Sequence, residues 1–90
     1  MERIKVADGS ILEVESVIYS DMGVVETLTI ELKDISLLSA VISFSDKEKM
    51  SKITHMENDT EVATYEGFTK VVSAVLIYRI EDVVITLHKE

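Results

Sequence analysis

The stretch Val62–Lys89, V-A-T-Y-E-G-F-T-K-V-V-S-A-V-L-I-Y-R-I-E-D-V-V-I-T-L-H-K, decides the fold of this chain. It is the densest run of β-branched and aromatic residues in the sequence, and Gly67 is its one strong breaker. Between Val71 and Ile80 the even positions Val72, Ala74, Leu76, Tyr78 and Ile80 are all apolar. Among the odd positions Val71, Val75 and Ile77 are apolar too, interrupted by Ser73. Such residues fit a pleated surface, so the run reads as strands, and a strand apolar on both faces requires cover on both. Its breaks divide it into strands over about 61–66, 70–80 and 83–89. Gly67 marks a bulge or tight bend. The Glu81-Asp82 junction lacks glycine, which predicts a longer loop built on a type I turn.

At the N-terminus residues 3–6 alternate, with Ile4 and Val6 on one side and Arg3 and Lys5 on the other. Asp8-Gly9 follows, a strong hairpin signal whose two positions are expected at positive φ. A second strand over about 10–19 puts Leu12, Val14 and Ile18 on one face, while Glu13 and Glu15 wet the other. Gly23 marks the next turn. A third strand over 24–33 points Leu28, Ile30 and Leu32 inward. The period then changes: Ile35, Leu38 and Ile42, flanked by Leu37, Val41 and Phe44, predict a helix of about ten residues with Asp34 as its N-cap. Ser45-Asp46-Lys47-Glu48 has the capping-box pattern and opens a short second turn that folds Met50 inward. A strand over 53–57 and the turn at Asn58-Asp59 lead back to the opening stretch. The order β-β-β-α-β-β-β-β defines an α+β domain spanning 1–90. Its sheet is mostly antiparallel, a small sandwich or partly rolled sheet with one amphipathic helix packed on it.

The composition narrows the chemistry. Of 90 residues, 47% are hydrophobic and 29% charged, an ordinary globular balance. The chain has no cysteine, hence no disulfide, thiolate metal site or cysteine nucleophile. Its N-terminus has no apolar signal segment and no run is long enough to span a membrane, so a soluble, unexported protein is expected. The net charge of −8 disfavours direct binding to a nucleic-acid backbone. It fits solubility, a basic protein partner or mimicry of nucleic acid.

No catalytic constellation stands out. His55 and His88 occupy different strands, outside any H-x-x-x-H or H-E-x-x-H context, and read as surface or edge-strand residues. Glu57-Asn58-Asp59-Thr60-Glu61 resembles a calcium loop in composition but lacks its glycine and terminal glutamate. There is no G-x-S-x-G, G-x-G-x-x-G or Walker loop. The reading is a non-enzymatic protein without cofactor or metal.

Surplus hydrophobicity is the informative feature. A helix of about ten residues covers only part of one sheet face, leaving Val71, Val75 and Ile77, with Val84 on the neighbouring strand, in need of a partner. An apolar patch of a few hundred Å² at roughly 25 cal/mol per Å² is worth several kcal/mol. Val71, Val75, Ile77, Tyr65 and Tyr78 are therefore the candidate partner-binding residues, and an oligomer is expected. The alternative is an acidic face, Glu13, Glu15, Glu57, Asp59 and Glu61, plugging a basic cleft on another protein or mimicking nucleic acid.

The segments S-F-S-D-K-E-K-M-S-K-I (43–53), Y-E-G-F-T-K-V (65–71) and V-V-I-T-L-H-K (83–89) carry a resemblance. In strand spacing and in the Tyr65-Glu66-Gly67-Phe68 turn, residues 34–90 resemble small phage and prophage proteins of Gram-positive bacteria, some associated with tail or baseplate genes. The resemblance transfers no catalytic residue. It implies a structural module, in the virion or the host cytoplasm, that binds other copies or other virion proteins. In the alternative reading the phage protein is an anti-defence inhibitor of a basic host protein.

Overall fold

The computed structural model describes residues 1–90. Its strands are β1 (Glu2–Val6), β2 (Ile11–Asp21), β3 (Glu26–Leu32), β4 (Lys52–Glu57), β5 (Thr60–Glu66), β6 (Lys70–Ile77) and β7 (Asp82–His88). They form one sheet in the order β5-β4-β1-β2-β3-β7-β6. Every neighbouring pair is antiparallel. The helix α1 (Leu37–Phe44) and a 3-10 turn (Lys49–Ser51) lie between β3 and β4. This is the α+β arrangement that the sequence predicts.

Where alternation is unbroken, one parity fills the core. β1 buries Ile4 and Val6, β3 buries Leu28, Ile30 and Leu32, and β7 buries Val83, Ile85 and Leu87. Three strands lose phase through one extra residue each. In β2, Val14 opposes Leu32 but Ser16 opposes Glu31, so Glu15 is the bulged residue. Simple alternation sends Ile18 inward; the bulge instead packs Val17 against the core and leaves Ile18 exposed. Val62 is the extra residue in β5 and Val72 in β6. The bulge at Val72 turns Val71 inward with Ala74 and Leu76, separating it from Val75 and Ile77, with which alternation groups it.

Bulges also bend strands, and here they roll the sheet. β2 pairs with β1 over Ile11–Val14 and with β3 over Val14–Asp21, changing partner at the bulge. In a flat seven-stranded sheet the edges would lie about 29 Å apart. Yet the edge strands β5 and β6 are joined by Gly67-Phe68-Thr69 alone, a link that spans at most ~14 Å. The two halves therefore fold over each other. Tyr19 of β2 stacks on Tyr65 of β5 with ring centroids 5.7 Å apart, and the buried Phe68 packs edge-on against both.

The connections differ in detail from expectation. Only Gly9 of the Asp8-Gly9 pair has positive φ, 91°. The Gly9 N–H donates to the Val6 carbonyl and the Val6 N–H to Ser10, giving a three-residue type I turn with a glycine bulge. Asn58 and Asp59 both have positive φ, 48° and 66°, as a two-residue type I′ turn requires. β6 stops at Ile77 rather than Ile80, and Tyr78–Glu81 form the four-residue loop before β7. Asp34 is not the helix cap: its φ is +53°, and Ser36 caps α1, its Oγ accepting from the Ser39 N–H at 3.1 Å. At the following turn Asp46, not Ser45, accepts from the Lys49 N–H at 3.1 Å, and Met50 is buried.

Candidate interaction surface

The two edges of the rolled sheet are chemically different. β5 exposes Glu61 and Glu66 along its length. β6 carries one charged residue, Lys70, and exposes Val72, Ser73 and Val75, with Val75 53% accessible. Because β6 pairs with β7 alone, its other side presents unpaired backbone N–H and C=O groups. An edge protected by little charge is a template for strand addition. The bulge at Val72 interrupts it on one side, leaving Ser73–Ile77 in unbroken register with β7.

Beyond Ile77 the surface continues into a groove of about 560 Å³ between the N-terminal end of α1 and the β6–β7 loop. Ile35, Leu37, Leu76, Tyr78 and Ile80 supply its apolar lining, and Asp34, Glu81 and Asp82 its charges. No basic side chain lines it. Tyr78, at the loop tip, is 86% exposed. The helix adds to this apolar character. Its sequence, L-L-S-A-V-I-S-F, has only two polar residues, both serines, so it buries Ala40 and Phe44 and still shows Leu38 and Ile42 to solvent, 70% and 64% exposed. The stripe expected to hold Leu38 and Ile42 inward therefore faces solvent, and the face carrying Ala40 and Phe44 packs on the sheet instead.

Of the expected partner-binding residues, Val75, Ile77 and Tyr78 follow one another along β6 and its loop. Val71 packs against the core, and Tyr65 belongs to the aromatic corner with Tyr19 and Phe68. Simple periodicity misses Val72 and Ile80 near β6, and Leu38 and Ile42 on α1, as surface residues. The all-round apolarity of 37–44 was the available signal, since such a helix cannot bury every side against a small sheet.

The acidic residues do not form one free face. Glu15 pairs with Lys33 at 2.9 Å, Asp59 with Arg3 at 3.6 Å and Glu61 with Lys5 at 3.7 Å. Glu13 on β2 lies directly opposite Arg3 on β1, and Glu57 lies at the β4 end of the Asn58-Asp59 turn. On the outer face Glu31 has its carboxyl pushed above the ordinary range, first by a hydrogen bond with Asp82, then by partial desolvation and by the charge of that neighbour. That pair leaves an excess of negative charge beside the β6–β7 loop.

His55 is not a surface or edge-strand residue. It sits on β4, between β1 and β5, at 8% exposure, with Nε2 2.9 Å from Glu2 Oε1. His88 is half-buried on β7, opposite Thr27 and Lys70. No three histidine, aspartate or glutamate side chains converge as a metal-binding group. No helix is long and apolar enough to cross a membrane. In comparisons with known proteins, no family model, no curated protein and no solved structure matches this chain.

Proposed function

We propose that the protein is a non-enzymatic interaction module that assembles by strand addition at β6, its first partner being a second copy of itself. The observation that carries this reading is the asymmetry of the two edges. β5 carries exposed carboxylates, whereas the β6 stretch Ser73–Ile77 is uncharged and exposes Val75. On a chain of net charge −8, that stretch is where two copies approach with least repulsion. A shared strand pair there joins main-chain hydrogen bonds to burial of Val75. The resemblance of residues 34–90 to small phage proteins gives such a module a virion setting, where it would assemble with its own copies or with other virion proteins.

Sedimentation over a wide concentration range tests the proposal. The wild-type chain is expected to associate, and Val75→Lys, a gatekeeper charge on the exposed edge, to be monomeric with an unchanged far-UV spectrum. A wild-type monomer at every concentration would sink the reading. If such a monomer also captured a basic protein in a salt-sensitive way, the acidic inhibitor would take its place.

A further inference from the structure

Lys70 and the β6–β7 loop lie at opposite ends of β6, and their charges are complementary. Lys70 is the one charged residue of the strand and makes no ion pair within its own chain. Glu90, the carboxylate whose field it feels, is already engaged by Lys47 at 2.8 Å. At the other end Asp82 sits directly opposite Ile77, and Glu81, Asp82 and Asp34 line the groove with no cation among them. Glu31 adds a further carboxylate against Asp82. Arg79, the loop's own cation, neither lines the groove nor forms an ion pair.

We propose that two copies pair antiparallel along β6 in a register fixed by reciprocal contacts, Lys70 of each copy reaching the Glu81 and Asp82 carboxylates of the other. This rests on the strand-addition reading above. Self-pairing of one edge is isologous, so a two-fold axis exchanges the ends of the strand. The unbroken stretch Ser73–Ile77 has Val75 at its midpoint. An axis through that point sets Val75 against its equivalent and Ser73 against Ile77 of the other copy. The residues before Ser73 then run toward the other copy's β6–β7 loop, and Lys70 arrives at its acidic end. Parallel pairing would set Lys70 beside Lys70 and carboxylate beside carboxylate, and like charges in juxtaposition oppose it.

Charge exchange with mixing tests this. Lys70→Glu alone, and Glu81→Lys/Asp82→Lys alone, each place like charges together at both ends of the interface. Each is expected to weaken self-association about tenfold or more in sedimentation. An equimolar mixture of the two is expected to regain wild-type association, because both ends of the mixed pair become complementary. If Lys70→Glu associates like wild type while Val75→Lys is monomeric, the register contact is wrong and strand addition stands. If both charge variants weaken but their mixture gains nothing, the contact is likewise wrong. A monomeric wild type removes both proposals.

Discussion

The ring of Tyr19 stacks on that of Tyr65 at 5.7 Å, although β1 and β4 lie between their strands in the sheet. The contact exists because β2 bends at Glu15 and brings its second half over β5. Deleting Glu15 keeps the inward parity of Val17 and Tyr19 but removes the bulge. The expected result is a straighter β2, loss of the near-UV signal of the stacked tyrosines, and a lower melting temperature. A wild-type near-UV spectrum in the deletion variant would show that the bend does not depend on the extra residue.

Phe44 and Phe68 close the core from the helix and from the link between the edge strands, and both are buried. Truncating either leaves a cavity that a rolled sheet cannot fill. Phe44→Ala and Phe68→Ala are each expected to cost about 3–5 kcal/mol in urea unfolding. A loss below about 1 kcal/mol would show that the site collapses around the change.

The Tyr19 phenol donates to Glu26 Oε1 at 2.7 Å, and that carboxylate pushes its pKa up to about 12. A phenol whose folded pKa is raised contributes stability that is complete below the unfolded value near 10.0 and is lost as pH rises through 12. Ultraviolet titration should therefore show one late-ionising tyrosine. Glu26→Gln should bring that step back toward the ordinary value.

Two carboxyls respond to acid with opposite signs. Glu31 has a raised pKa because of Asp82, so its contribution is present below the unfolded carboxyl value and lost as pH rises through the folded one. Glu90 is held low by Lys47 and by the Thr69 hydroxyl, so its contribution is present at neutral pH and lost on acidification. Glu31→Gln is expected to raise the melting temperature at pH 7 with no gain in acid. Glu90→Gln should lower it at pH 7, with the difference vanishing in acid. Identical pH profiles for the two variants would refute the assignment.

Asp59 holds φ at 66° in the turn between β4 and β5. Glycine adopts that conformation without a Cβ clash, so Asp59→Gly is expected to stabilise the protein by up to about 1 kcal/mol, offset in part by losing an exposed contact with Arg3. Thermal unfolding measures the balance.

Alternation determined the shared faces of β1 and β3 and, with the turn residues, the number of strands, and the change of period placed the helix after the third. These rest on the strand and helix periods and on turn residues, all local properties of the chain. The sequence also carried the surplus of apolar surface. Tertiary structure decided the rest. An extra residue in a bulge leaves no mark in the sequence pattern, because Glu15, Val62 and Val72 are ordinary strand residues until a partner strand sets the register. That shift exposed Ile18, turned Val71 inward and left Val75 at the middle of an open edge. Pairing likewise placed His55 in an inner strand beside Glu2, and the roll of the sheet carried Tyr65 to Tyr19, away from β6. Which apolar residues face solvent is thus a property of pairing and closure, which no single strand contains.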